Sequence, residues 1–548
     1  MRLSNSKTRS ETGLDHVMQS INVLTPFGKR RLEELTPFEP GQEDKLNNEF
    51  RKVEEVLWFV DKKPELYRSL TETLMDIKDI SFTIKRSSNN VLSVVELFEV
   101  KSLLLKMHSI IELLGMRTLL LPKEFILEDI SELLDILDPR KDRMSAFYIY
   151  DDFSEKLKEF RNMKRNQERL ISNEKKAIKS RIESLYGIKL TSRFEYSVSK
   201  SDKELLRKIK ELTDLKQCDE DYLSITFTIK ETEKIDLAKH ELDRINEHID
   251  EQELLIRERL SKSIGRFSHI LLENCNKIGE LDFVLAKAIY AKQNHCVRPY
   301  LVKEHRIEIV DGRYLPLEEI LNKKSRHYCP VSIQLENGVT CITGANMGGK
   351  TISLKLVGQV AMLTQYGFYV PCKEAKIGLS NYIHILIGDN QSVRRGLSSF
   401  GSEMEELKEV LDNSKERSLL LIDEIASGTN PVEGLAFTKS IIEYFNTRPY
   451  ICLITTHYDG VAEGEGIKNL QVIGLANADF QKLEKELRYE NRSERIEIIS
   501  KYMDYRLYHA KNDEEIPKEA LNIARILGIY DEIIENAKKY MSGKKGNA

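Results

Sequence analysis

The chain has 548 residues, with 84 Lys+Arg against 88 Asp+Glu and a formal net charge of −4. The length suggests about three or four domains of roughly 100–200 residues, and the near-neutral balance excludes a surface that is basic throughout while leaving room for a local nucleic-acid site. Only 27 Gly and 13 Pro favour long helices over a turn-rich all-β fold. No run approaches the roughly 18 apolar residues of a membrane span. The polar start MRLSNSKTRSETG has no apolar h-region, which argues against a secretory signal. The seven cysteines (Cys218, Cys275, Cys296, Cys329, Cys341, Cys372, Cys452) contain no CxxC pair. They are expected to be reduced thiols of a cytoplasmic protein.

In chain order, residues 14–150 read as helices. Thr25-Pro26 pairs an N-cap with Pro at the first helical position, and Thr36-Pro37 ends that helix. Leu46, Phe50, Val53, Leu57 and Val60 share one helical face, and Leu70, Leu74, Ile77 and Ile80 repeat the spacing. From 153 to 262 the apolar positions thin to one stripe: Phe153, Leu157 and Phe160, then Leu242, Ile245, Ile249, Ile256 and Leu260. That is a coiled-coil-like seam on a polar rod. Between its arms, Phe194, Tyr196 and Val198 alternate with polar residues, as do Leu223, Ile225, Phe227 and Ile229, and each run predicts a half-buried strand. A long helix out, a small stranded tip and a helix back result.

The arm is unevenly charged. Residues 153–210 hold 17 Lys+Arg against 8 Asp+Glu, and residues 215–260 hold 7 against 13. The basic strip suits a phosphate backbone, and the acidic return suits neutralisation within an antiparallel pair. Residues 268–336 read as a helix followed by short strands, 337–460 alternate strand, loop and helix as α/β nucleotide-binding domains do, and 519–541 carry two short amphipathic helices.

The sharpest signal follows the strand candidate Val339-Thr340-Cys341-Ile342-Thr343. It is Gly344-Ala345-Asn346-Met347-Gly348-Gly349-Lys350-Thr351, which fits GxxxxGK[ST] between a strand and a helix. Glycines let backbone N–H groups close around phosphates, and the next helix aims its positive end at the same anion. Lys350 would reach the β/γ-phosphates, and Thr351 would ligate Mg²⁺. About 72 residues on, Leu419-Leu420-Leu421-Ile422 ends in Asp423-Glu424. Asp423 would hold the hydrated Mg²⁺ and Glu424 would polarise the attacking water. A third apolar run, Ile451–Ile454, ends in Thr455-Thr456-His457-Tyr458, where His457 could sense a γ-phosphate.

GANMGGKT, IGDNQSVRRGLSSFGSEM, LLLIDEIASGTNPVEGLA and TTHY, in this order and spacing, resemble the MutS family of ABC-type ATPases, and IGDNQS, LSSF and GTNPVEG its second branch. The resemblance covers residues 300–540 strongly. It covers 14–300 weakly, through TPFGKRRLEEL and ITFTIKETEKIDLAKHEL. It implies a multidomain chain: an all-α helical core with a coiled-coil clamp or lever, followed by an α/β ABC-type P-loop ATPase domain. The expected segments are 1–150 (core), 151–262 (clamp with a β tip), 263–300 (core return), 301–515 (ATPase) and 516–548 (dimerisation helices and tail). By resemblance, the residues from Gly344 to Thr351 bind ATP. Gln391 belongs to the Q-loop, Ser398 reaches the partner subunit's nucleotide, Asn430 lies in the D-loop and His457 is the switch histidine. A composite homodimeric ATP–Mg²⁺ site is implied.

There are departures. Ala345 replaces the family's proline, and Gly312-Arg313-Tyr314-Leu315 stands where Gly-Arg-His-Pro is usual. The helical core begins almost at residue 14, leaving no room for mismatch-reading and connector domains, and no Smr domain is expected. Two functions fit. One is a dimeric, ATP-gated clamp on double-stranded or branched DNA. The other is an ATP-dependent reactivating factor for an adenosylcobalamin-dependent lysine or ornithine aminomutase, acting on protein. Rod-shaped chromosome-organising ATPases are excluded because both nucleotide motifs lie between 344 and 424. A membrane transporter subunit is excluded because LSGGQ is absent.

Overall fold

The structure, a computed structural model, describes residues 3–115, 122–344, 349–388, 399–458, 460–475, 478–479, 482–483, 486, 498, 501–510, 521, 524–525 and 529–543. The chain divides into two compact units, one of Met1–Met75, Arg117–Phe125 and Ile278–Ala548, the other of Asp76–Met116 and Ile126–Lys277. Among the described residues no helix is long and apolar enough to cross a membrane, and all seven cysteines are free.

The second unit is dominated by two long helices, Glu155–Tyr186 and Glu233–Arg266. Their cross-contacts run in opposite order along the chain: Phe160 stacks on His248, Arg161 pairs with Glu253 at 2.8 Å, and Lys234 pairs with Glu174 at 3.6 Å. The pair is therefore antiparallel. Few positions are buried, as expected of helices that each meet little besides one neighbour: Leu157 on the outgoing helix and Ile245, Ile249, Ile256 and Leu260 on the returning one, while Ile178 and Ile182 pack with Ile235 into the core of the stranded tip. Gly187, at φ 69°, ends the outgoing helix in the left-handed conformation that glycine adopts without strain.

Between the helices lie β1 (Glu195–Ser199), β2 (Leu215–Glu220) and β3 (Ser224–Ile229), in the order β1-β3-β2 and antiparallel throughout. β3 alternates as its sequence does, with Ile225, Phe227 and Ile229 buried. Leu223 departs from that expectation: it lies in the turn before β3 and is exposed, beside Tyr222. β2 was not legible, because only Leu215 is buried along it. In the same unit Lys101 is fully buried and donates to Asp138 and to the Ala146 carbonyl, both at 3.0 Å.

The first unit begins with helices. Thr25 caps Pro26–Glu33 by accepting the Gly28 N–H at 2.9 Å. Asp282 in turn accepts from Leu24 N, Thr25 N and Thr25 Oγ1. Leu70 and Leu74 face inward from the helix Pro64–Met75, but Ile77 and Ile80 lie beyond its end. Both are buried from irregular chain, so their helical spacing was coincidental. The helix Ser6–Glu11 precedes the first helix expected from sequence. It lies along the ATPase sheet, as described below.

Two sheets follow. The smaller is ordered β4-β8-β5-β6 and consists of β4 (Tyr300–Val302), β5 (Arg306–Gly312), β6 (Val331–Glu336) and β8 (Glu374–Gly378). The larger contains β7 (Gly338–Thr343), β9 (Tyr382–Ile387), β10 (Ser418–Asp423), β11 (Ile451–Thr455), β12 (Lys468–Gly474) and β13 (Asp504–His509). Its order is β13-β12-β7-β11-β10-β9, all parallel except β13.

Its central strands are buried along nearly their whole length and largely apolar, because both faces are covered. Ile342, Leu419, Leu421 and Leu453 enter one core with the helix Gly349–Gln365. Cys341, Leu420, Ile422, Cys452 and Ile454 enter the other with Ile441, Ile442 and Phe445 of the helix Pro431–Asn446.

The outer edge of β9 is covered by residues 3–8. Ile383 N donates to the Leu3 carbonyl at 2.8 Å, Ile385 N to Thr8 Oγ1 at 3.2 Å, and Lys7 pairs with Glu406 at 2.8 Å. Of the two C-terminal amphipathic helices expected from sequence, Asp531–Gly543 is present with Ile534 buried. Most of the first lies outside the described residues.

Candidate nucleotide site

The register of the parallel strands brings the site together. Asp423 on β10 is level with Thr455 on β11, and Thr455 with Ile342 on β7. The strand ends that carry the phosphate-loop glycine, the threonines and the carboxylates therefore share one edge. It is the carboxyl edge, where α/β sheets bind ligands.

Gly344 leaves β7 at φ 122°, a conformation that side-chain-bearing residues rarely adopt. The helix Gly349–Gln365 starts five residues later, with its free N–H groups at this edge. Lys350 is only 4% exposed. Its Nζ donates to the Gly344 carbonyl at 2.8 Å and the Thr456 carbonyl at 3.4 Å, and pairs with Glu424 at 3.2 Å. Thr351 Oγ1 donates to Asp423 Oδ2 at 2.8 Å, and Thr455 Oγ1 donates to Asp423 Oδ1. Burial pushes the Asp423 carboxyl above its ordinary value and the neighbouring Glu424 adds to this, against the two hydroxyls and Lys350, which favour the charged form.

Glu424 projects from a strained turn. It and Ala426 have φ of 45° and 60°, and such residues cost about 1–3 kcal/mol each and cluster at functional sites. His457 Nδ1 lies 3.9 Å from Glu424 Oε2. Of the residues anticipated from sequence, Gly344, Gly349, Lys350, Thr351, Asp423, Glu424 and His457 thus gather at one place. Asn430 does not join them through its side chain, whose recorded hydrogen bond is local: it caps the helix Pro431–Asn446 by accepting the Val432 N–H at 2.9 Å. Ala345, Asn346, Met347, Gly348, Gln391 and Ser398 lie outside the described residues.

Residues 340–543 match the family profile described as MutS domain V. The chain carries a MutS-family ATPase domain. MutS domain V is an ABC-type ATPase, so the site is that of an ATP hydrolase. Among relatives, the DNA mismatch repair protein MutS of Aquifex pyrophilus is 26% identical over 551 residues, covering 96% of this chain and 59% of that one. The Endonuclease MutS2 of Acetivibrio thermocellus is 30% identical over 305 residues, 54% of this chain and 35% of the relative. A Clostridium botulinum Endonuclease MutS2 is 35% identical over 206 residues, 36% and 25% of the two chains. The chain thus spans between a quarter and three-fifths of the length of these relatives.

Residues outside the phosphate-loop and Asp-Glu motifs also reach the site. The Thr455 hydroxyl, within TTHY, holds Asp423, and its carbonyl and hydroxyl both receive the Glu424 N–H, at 3.1 and 3.2 Å. A threonine ending the strand beside the Asp-Glu strand was the available signal. Glu403 and Tyr458 also reach this turn, and no spacing rule points to either.

Thr351 and Asp423 offer two hard oxygen donors side by side, which suits Mg²⁺, an ion that keeps several waters and takes few protein ligands. Among the described residues no group of three or more His, Cys, Asp or Glu could hold a metal.

Proposed function

We propose that the protein hydrolyses ATP in an Mg²⁺-dependent reaction at this edge, and that turnover drives the antiparallel helix pair as a DNA-binding clamp. The observation that carries the reading is the convergence of Lys350, Thr351, Asp423 and Glu424 within hydrogen-bond and ion-pair distances. Lys350 and the Gly344 loop bind the β/γ-phosphates. Thr351 and Asp423 hold Mg²⁺, which neutralises phosphate charge when bound. Glu424 accepts the proton of the attacking water, and Thr455 keeps Asp423 and the Glu424 backbone in place. His457, beside Glu424, answers to the γ-phosphate. Positioning and charge neutralisation supply most of the acceleration. The site is completed by a second subunit through Ser398, with Asn430 and the helix Asp531–Gly543 near the subunit contact.

The relatives are named for DNA mismatch repair and as an endonuclease, and the arm supports a nucleic-acid role in part. Its outgoing helix is partly neutralised: Arg161 pairs with Glu253, Lys175 with Glu231 and Arg181 with Asp214. Lys156, Lys164, Arg169 and Lys176 make no ion pair among the described residues. They remain available to phosphates. The same neutralisation favours the second reading, in which the arm acts on a protein such as an adenosylcobalamin-dependent aminomutase.

One experiment separates them. Duplex or junction DNA should stimulate ATP hydrolysis and bind in a salt-sensitive way. Absence of binding to any DNA at low salt refutes the clamp reading, and restoration of an inactivated aminomutase by protein plus ATP establishes the other. Glu424→Gln should retain ATP binding and accumulate as a closed dimer. If it hydrolyses ATP at the normal rate, the water-activating role falls.

A further inference from the structure

The turn Glu424-Ile425-Ala426 is held from four sides. The Glu424 N–H is taken by Thr455 of β11. The Ile425 carbonyl accepts from Thr438 Oγ1, on the helix Pro431–Asn446, at 3.3 Å. The Ala426 carbonyl accepts from the Tyr458 hydroxyl, just beyond His457, at 3.2 Å. The Ala426 N–H donates to Glu403 Oε2 at 2.9 Å. A left-handed turn of non-glycine residues persists only when its surroundings over-determine it, and these four contacts do so.

Glu403 differs from the other three partners. It is an ionisable group, 7% exposed, and it forms no ion pair among the described residues. It stands on the helix Ser399–Asn413, which begins immediately after residues 389–398. One turn further along that helix, Glu406 pairs with Lys7 and lies 3.7 Å from His384 of β9. The helix is thus anchored to the sheet at Glu406 and tied to the catalytic turn at Glu403. A shift of its first turn must either drag the Ala426 amide along or leave a buried carboxylate and a buried N–H without each other, and the second is costly.

We infer that Glu403 is a positioning residue for ATP hydrolysis: through the Ala426 N–H it fixes the backbone direction from which Glu424 presents its carboxylate to water. The inference rests on Glu424 as the group that activates water.

The test uses the full chain with Mg²⁺-ATP and reads kcat, KM, the Kd of a fluorescent non-hydrolysable ATP analogue, and Tm. Glu403→Leu keeps the volume and removes the acceptor, whereas Glu403→Gln keeps an acceptor oxygen. The leucine variant should lose at least about tenfold in kcat, because small misplacements of a reacting group are amplified, with Kd unchanged within about threefold, since Lys350 and Thr351 are untouched. The glutamine variant should recover most of kcat. Tyr458→Phe removes the bond on the other side of Ala426, should lower kcat in the same direction, and carries the test if the leucine variant does not fold. The inference is overturned if the leucine or phenylalanine variant keeps kcat within about twofold, if Kd weakens in step with kcat, or if glutamine does not restore turnover. Glu424→Gln run alongside separates the two ideas. If it is inactive while Glu403→Leu is normal, only the Glu403 inference fails; if it is fully active, the reading of Glu424 fails first.

Discussion

Replacing Lys350 by methionine keeps the aliphatic stem and removes the charge. In the structure the ammonium is 4% exposed, 2.8 Å from the Gly344 carbonyl and 3.2 Å from Glu424. At an effective dielectric of about 20, unit charges at that separation attract by roughly 5 kcal/mol. Removing only the ammonium leaves the partly exposed Glu424 carboxylate beside Asp423 without that cation, so some loss of stability accompanies the change. An incoming phosphate loses a charge-assisted hydrogen bond worth about 1.5–3 kcal/mol. Lys350→Met should therefore weaken Mg²⁺-nucleotide binding by roughly 10- to 150-fold. Titration calorimetry with a non-hydrolysable analogue measures it, with a thermal melt as the folding control. A well-folded Lys350→Met protein whose Kd lies within about threefold of the parent refutes the assignment of Lys350 to the phosphates.

Three further expectations follow from the geometry. Mg²⁺ needs ionised Asp423, whose pKa is raised chiefly by burial. The acid limb of kcat/KM should therefore lie above the ordinary aspartate value, and Thr455→Val, which removes a hydroxyl favouring the carboxylate, should move it further up; an unmoved limb contradicts the role given to Thr455. His305 is buried against Asn337 and Ser380, and burial pushes its pKa down to about 4. Below about pH 6.5 the unfolded chain takes up a proton that the folded one refuses, so stability should fall between pH 6.5 and 4 by about 3 kcal/mol. Denaturant melts at several pH values should show that slope flattened in His305→Asn, and an unchanged slope refutes the attribution. Finally, Arg169→Glu with Lys176→Glu should weaken DNA binding and lower its salt slope by roughly one per lost phosphate contact, and an unchanged slope removes these residues from any DNA interface.

Legibility in the sequence followed burial and motif length. β7 and β10 could be read because both faces are covered, which forces runs such as Leu419–Ile422 to be apolar throughout. The helix Pro26–Glu33 could be read because its cap is local chemistry. Lys350, Thr351, Asp423 and Glu424 stand in motifs whose spacing reflects one strand–loop–helix geometry. β2 escaped because five of its six residues face solvent. Ile77 and Ile80 misled because long-range packing buries them from irregular chain. Glu403 could not be assigned from sequence, and Thr455 only as a strand-ending threonine, because what matters is which strand or helix lies beside the catalytic turn, and that is decided by strand order.

The contact of Leu3 and Thr8 with β9 has a practical consequence. Those few residues act as a sealing strip on the outermost strand of the ATPase sheet. Removing residues 3–8 would bare amide and carbonyl groups able to recruit a strand from another molecule, so their loss should register as turbidity, and because Lys7 goes with them the Glu406 anchor of the helix Ser399–Asn413 is lost as well.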